Sequence, residues 1–418
     1  MYRLLALIIL SSYLCKGQQD DNVNYLIWTP EFLIGQSAPS NENFPDRSPQ
    51  LQAAVNLGWS QAYNQQEWAR RLKGPRTGLQ FVFTDYGNGS ELGRSYSLMP
   101  SVDFAGFNSS RIRFFTAMGV SYFDTKYDPV TNPNNQAITT DLVWSFRASG
   151  HYVLVEGERT DWRVGLVYDH HSNGHTRLPN QGFNSFLFSL GADVHPTSTR
   201  PEPQDGNWAP LQRSRYSFAA FRAGYGINVL SIPEPFNDKK AVYSLTAEYG
   251  RVYNNTFKWS AGVFYRYYQH YYDYIADNES LVQDGREFDE FKSAPGWNAS
   301  NISIFGSGEV LLNHVGIEVA IGINLHKPAY KIDWRINQGW DNTPRDIPDF
   351  WQLGEFDTKY RLKQTVATRM GLKYYLWSTA TARPGNLFIG AHINANLGQA
   401  DYTELSLGYV YNFNFAER

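Results

Sequence analysis

Residues 256–269 read TFKWSAGVFYRYYQ, and their alternation sets the fold class. Phe257, Trp259, Ala261, Val263, Tyr265 and Tyr267 occupy the odd positions, with Lys258, Ser260, Gly262 and Arg266 among the even ones. Side chains two apart share one face of a strand, so this segment presents one apolar, aromatic face and one small or charged face. Residues 217–229, SFAAFRAGYGINV, repeat the pattern: Ala219, Phe221, Ala223, Tyr225, Ile227 and Val229 oppose Ala220, Arg222, Gly224, Gly226 and Asn228. Each run approaches the length that a tilted strand needs to cross a bilayer.

Working outward, similar segments fall near 50–63, 76–86, 95–107, 111–125, 137–148, 160–172, 183–195, 215–230, 241–253, 256–272, 308–325, 363–377, 385–397 and 401–415. The expected fold is therefore all-β, one transmembrane antiparallel β-barrel of about 12–14 strands with long polar loops at 276–305 and 327–360. Composition agrees. Aromatic residues make up 16% of the chain, yet mean hydropathy is −0.46, as expected where lipid-facing and lumen-facing side chains average out. An exported soluble β-sandwich would also alternate, but with shorter strands and fewer aromatics. The last strand, YTELSLGYVYNFNF, ends in an aromatic run similar to the terminal signal of bacterial outer-membrane proteins, although Ala416, Glu417 and Arg418 follow it.

The N-terminus, MYRLLALIILSSYLCKGQ, places an arginine before a short apolar run and small residues after it, the pattern of a secretory signal peptide. The single cysteine, Cys15, lies within it, so no disulfide is expected in the exported protein. Residues 1–18 are read as signal peptide, 19–49 as an N-terminal periplasmic or plug segment, and 50–418 as a barrel of the bacterial outer membrane. A net charge of −3 with interspersed signs offers no basic stripe, which argues against nucleic acid as a partner.

Residues 161–173, DWRVGLVYDHHSN, place Trp162, Val164, Leu166, Tyr168, His170 and Ser172 on one face. That face is apolar until its last two residues. A histidine two positions from a serine can act as general base and turn a weak hydroxyl nucleophile into one able to attack an ester. Asn184, on the return strand after the loop 173–182, is placed to hold the imidazole tautomer, and backbone N–H groups in the Asn173–Gly174 turn can stabilise an oxyanion. The same residues also read as an interfacial hairpin turn, since Asn-Gly is itself a strong turn signal. Asp169 and His171 point to the opposite, lumenal face, Asp169 being solvated or paired with Arg163 there. Residues 265–274, YRYYQHYYDY, read as an interfacial aromatic belt.

The stretch resembles the active-site motif of the lipid A 3-O-deacylase (PagL-type, acyloxyacyl hydrolase) family, in which His-x-Ser-Asn is followed by a loop and Asn-x-Gly: here His170, Ser172, Asn173, Asn180 and Gly182. The resemblance implies Ser172 as nucleophile, His170 as base, and Asn180 with the Gly174 backbone at the oxyanion. That family carries a glutamate twelve residues after the serine, where this chain has Asn184. Outer-membrane phospholipase A is similar in having His-x-Ser-Asn-Gly with an asparagine at that distance, matching His170, Ser172, Asn173, Gly174 and Asn184. The first resemblance implies an eight-stranded barrel; the second implies twelve strands and a calcium-dependent homodimer. No metal site is assigned from the sequence, and no cofactor is expected unless calcium serves a phospholipase-like enzyme. Both imply a serine esterase whose substrate is a membrane lipid, lipid A or a phospholipid. The competing reading is a non-enzymatic porin-like or surface-binding barrel whose long loops carry the function.

Overall fold

In the computed structural model, residues 25–107, 109–195, 211, 213–338 and 362–417 are described. The chain is all-β and antiparallel, as the alternation implies, but it closes twice. β1 (Leu26–Ser37), β2 (Gln50–Ser60), β3 (Arg76–Asp85), β4 (Arg94–Ala105), β5 (Ile112–Phe123), β6 (Leu142–Glu156), β7 (Thr160–Ser172) and β8 (Phe183–Val194) form one closed barrel. A second is built from β9 (Ser214–Asn228), β10 (Lys240–Tyr253), β11 (Phe257–Tyr268), β12 (Ser300–Leu312), β13 (Val315–His326), β14 (Val366–Tyr375), β15 (Gly385–Asn396) and β16 (Gln399–Glu417). Pairing of β1 with β8 and of β16 with β9 removes the sheet edges, the condition for a sheet to stand in hydrocarbon.

Among the described residues, the expected single barrel of 12–14 strands becomes sixteen strands in two barrels. Two readings account for the difference. β1 lies in the segment 19–49 taken as periplasmic or plug; it is a wall strand, with Pro30 at a gap in the pairing to β8, where no ladder N–H is needed. The run 308–325 contains the end of one strand and most of the next, joined by the two-residue turn Asn313–His314. Outward positions change there from even, as at Ile304, to odd, as at Val319 and Ile321. β12 also begins inside the segment 276–305 taken as a loop. The signal-peptide reading for 1–18 and residues 339–360 of the second long loop lie outside the described residues.

An eight-stranded barrel has an interior just wide enough for side chains to fill, and both lumens are filled. In the first, Leu33, Met99, Phe115, Val167 and Leu187 form an apolar layer, and Tyr86, Phe123 and Phe183 stack nearer the rim that carries loop 173–182. Toward the opposite rim, Arg163 reaches Glu31 at 2.8 Å, Asp103 at 3.3 Å and Asp193 at 3.5 Å. Asp169 is lumenal as expected, but its partner is Arg147 at 2.6 Å, not Arg163, with Gln52 donating at 2.9 Å. The second lumen holds Arg222, Arg369, Lys373, Glu309, Glu318 and Glu404 in a comparable network. Outward faces carry the aromatics and branched aliphatics, among them Trp162, Phe188, Trp259 and Leu405, a surface suited to lipid.

At the rim that carries loop 173–182, the segments Gln269–Ala276, Asp289–Ser293 and Tyr330–Gln338 fold over the second barrel. Tyr268, Tyr271, Tyr274 and Ile332 make the core of this cap. Part of the supposed aromatic belt at 265–274 is therefore buried packing. The barrels also touch each other. Asn255 donates to Glu67 at 2.9 Å near one rim, where Trp68 and Leu312 share an apolar cluster, and Trp144 donates to Thr403 at 3.1 Å near the other.

Arg163→Met should destabilise the first barrel by about 3–5 kcal/mol, because it removes the arginine paired with buried Glu31, while Asp103 and Asp193 keep Arg76 and Arg113. Urea unfolding from detergent micelles checks this, and a midpoint equal to wild type would contradict it.

Candidate active site

β7 brings His170 and Ser172 to its end on the outward face, continuing the row Trp162, Leu166, Tyr168, while Asp169 and His171 turn into the lumen. Strand register then supplies the third residue. Asn184 stands directly opposite His170 on β8, and its Oδ1 lies 2.9 Å from His170 Nδ1. Tyr168 Oη–H donates to the same oxygen at 2.8 Å. An amide oxygen only accepts, so Nδ1 carries the proton and Nε2 keeps its lone pair. This is the tautomer a general base needs. Tyr168 was not singled out in the sequence, although its place two residues before His170 on the same face was available as a signal.

Ser172 Oγ accepts from the Asn180 side-chain amide at 2.9 Å and from the Gly174 N–H at 3.2 Å. Both acceptor positions are filled and its own hydrogen is left to donate. Among the described residues no hydrogen bond joins Ser172 to His170. Such contacts are often long before substrate arrives. Two donors, the Asn180 amide and the Gly174 N–H, thus converge on Ser172 Oγ.

The loop between the strands is built to hold those donors. Asn173 Oδ1 accepts from the His175 and Thr176 N–H groups at 3.0 and 3.2 Å, and its Nδ2 donates to the Arg177 carbonyl at 2.7 Å. The Asn173 side chain is thereby engaged in shaping the turn. The Asn173 N–H donates to Asn180 Oδ1 at 3.0 Å, which orients the Asn180 amide toward Ser172. Gly174 and Gly182 adopt φ of +66° and +75°, the left-handed region that favours glycine. At Gly182 a Cβ would come within 3.1 Å of His170 Cε1 and 2.9 Å of the His171 carbonyl, so the imidazole rests on a bare backbone.

Beside the site the outward wall of the first barrel is dented. A groove of about 600 Å³ runs over the small residues Ala148 and Gly150 on β6, between Phe114, Leu166 and Phe188, with Tyr168 also in its lining. The volume falls in the range of small-molecule sites, and the lining is apolar and open to the lipid side. Ser172, His170 and an extended apolar groove therefore share one outward face.

Residues 50–193, about a third of the chain and nearly all of the first barrel, match the family model described as lipid A 3-O-deacylase (PagL). Among solved structures, the outer membrane enzyme PagL is 17% identical, with 39% of this chain and 97% of that chain covered and a TM-score of 0.28. CdiB from Acinetobacter baumannii is 8% identical over 94% of this chain and 60% of its own, with a TM-score of 0.17. A mutant of the Rh. blastica porin is 10% identical over 94% of this chain and all of its own, also at 0.17. Likenesses this low carry no argument about function. No curated protein matches the chain.

A serine-directed fluorophosphonate should label the detergent-solubilised protein at Ser172, and Ser172→Ala should remove the label. Gly182→Ala, which crowds the imidazole, should slow labelling roughly tenfold. Equal labelling of wild type and Ser172→Ala would show that Ser172 is not an activated nucleophile.

Proposed function

We propose that the first barrel is an outer-membrane serine esterase that removes an ester-linked acyl chain from lipid A. One observation carries this reading: a tautomer-fixed histidine and a serine flanked by two hydrogen-bond donors share the outward face beside an apolar groove. The family match over residues 50–193 supports lipid A as the substrate. Filled lumens in both barrels weigh against a porin-like channel.

In the proposed reaction the acyl chain lies in the groove past Tyr168 and Leu166, which brings the ester carbonyl to Ser172. Ser172 Oγ attacks the carbonyl carbon as His170 Nε2 takes the hydroxyl proton. The Gly174 N–H and the Asn180 amide receive the negative charge on the former carbonyl oxygen. Collapse of this intermediate breaks the bond to the glycan oxygen, which leaves with the proton from His170. Water activated by the same imidazole then cleaves the acyl-serine and releases the fatty acid. Asn184 holds the ring through both halves, but as a neutral amide it stabilises the imidazolium less than a carboxylate would.

Asn184 is also the observation that favours a second reading, a phospholipid substrate, because asparagine is the third member implied by the phospholipase resemblance. Export by an N-terminal signal peptide belongs to either reading.

Mass spectrometry of lipid A and phospholipids from cells expressing wild type or Ser172→Ala distinguishes the two. Loss of one hydroxyacyl chain from lipid A with wild type alone is the expected result. Lysophospholipid and free fatty acid would instead establish the phospholipid reading, and no change in either pool would contradict both. Asn184→Ala should lower kcat by roughly ten- to a hundredfold, since the imidazole loses its orienting acceptor but the oxyanion donors remain. Turnover of lipid A in mixed micelles measures it, and a kcat equal to wild type would remove Asn184 from the mechanism.

A further inference from the structure

The loop 173–182 is held by residues of the second barrel as well as by its own. Thr403, on the outward face of β16, accepts from Trp144 Nε1 at 3.1 Å and donates to the Gly174 carbonyl at 3.3 Å. Its hydroxyl lies so close to Gly174 that a Cβ there would collide with it. Further along the loop, Asn237, between β9 and β10, accepts from the Leu178 N–H at 2.9 Å and donates to the Leu178 carbonyl at 2.8 Å. One side-chain amide thus pairs with both polar groups of Leu178, and Asn237 is itself buried. Arg177 and Glu234 add an exposed ion pair at 3.3 Å, a contact of small energetic weight.

The Thr403 and Asn237 contacts fall where the proposed chemistry is most sensitive. Gly174 supplies one donor to Ser172 Oγ and Leu178 lies two residues before Asn180, which supplies the other. Oxyanion donors work only when fixed at the right distance, and a shift of about 1 Å in a catalytic constellation can cost on the order of 10²-fold. The loop's internal bonds run through Asn173 and set the shape of the turn, and Gln136, Ala137 and Thr139 of the first barrel hold residues 179–182, whereas Thr403 ties the loop to β16 and Asn237 ties it to the β9–β10 connection of the second barrel. Loops are the mobile elements of a barrel, and this one is docked on a neighbour.

We infer that the second barrel is a positioning partner of the esterase site, with Thr403 and Asn237 as positioning residues that hold the two oxyanion donors of loop 173–182 in place. This rests on the ester hydrolase reading given above. Among the described residues, neither side chain hydrogen-bonds to Ser172 or His170. Each acts through the backbone of the loop, from a distance of 229 residues in the case of Thr403 and Gly174. The second barrel thereby has a part in the reaction although its lumen is filled with its own ion pairs.

The test uses the full chain in mixed micelles with lipid A. Thr403→Val keeps the side-chain shape and removes the hydroxyl, Thr403→Ser restores a hydroxyl, and Asn237→Ala removes the amide. Thr403→Val and Asn237→Ala should each lower kcat roughly tenfold or more with KM within about twofold. Thr403→Ser should recover most of the loss, and heat-modifiable migration should stay unchanged in all three. In parallel, amide hydrogen exchange over 173–182 should quicken in Thr403→Val and Asn237→Ala but not in Thr403→Ser. A wild-type kcat in Thr403→Val overturns the positioning role whatever the exchange shows. If the wild type itself turns over no lipid, the hydrolase reading fails, and exchange decides the docking alone: faster exchange in the variants supports it and unchanged exchange overturns it.

Discussion

Everything in this molecule depends on one constraint, that a strand placed in lipid must satisfy its backbone polar groups through its neighbours. Each sheet meets it by closing, β1 against β8 and β9 against β16. Closure at eight strands in turn leaves a lumen that only side chains can fill. The large buried cations Arg147, Arg163, Arg222 and Arg369 and their carboxylate partners occupy that space. Charged residues are thereby drawn inward, beside apolar layers in the lumens, while the outward faces are mainly apolar and aromatic. A serine and a histidine on the outward side of β7 are exceptions to that division, and the exception is where the candidate chemistry lies.

The exception is tolerable because of its position at the end of the strand. Ser172 and His170 stand where the backbone leaves the sheet, and their polar atoms are matched by Asn180, Gly174 and Asn184. An unmatched hydroxyl deeper in the lipid-facing band would carry the full cost of desolvation. The groove over Ala148 and Gly150 continues the same outward face away from the rim, so polar chemistry and apolar binding meet along a single strand direction. A lipid presented from the side of the barrel could reach the serine without entering water.

Local pattern made much of this legible. Period-two alternation locates β2 to β5, β7 to β11 and β14 to β16 within a few residues, because side-chain direction in a strand depends only on parity, but sets β6 too early, at 137–148 instead of Leu142–Glu156. It misses β1, where Pro30 interrupts the strand signal, and merges β12 with β13, where the parity changes across Asn313–His314. Closure is a different matter. Nothing within β8 or β16 states that its partner is the strand seven places earlier, so two barrels of eight cannot be told from one larger barrel by alternation. The stretch HPTSTRPEP at 195–203, rich in proline, was the available hint of a division. At the site, His170, Ser172 and Asn184 are near neighbours in sequence and their relation could be read from strand spacing. Thr403 and Asn237 could not, since their approach to the loop follows from how the barrels stand together.

In the proposed reaction Ser172 carries the acyl group during turnover. Acid quenching within the first turnovers on lipid A, followed by peptide mass spectrometry, tests it most directly. A hydroxyacyl mass is expected on the peptide that contains Ser172 and is absent from Ser172→Ala. Released hydroxy fatty acid with no acylated Ser172 at any quench time, and full turnover by Ser172→Ala, would contradict it.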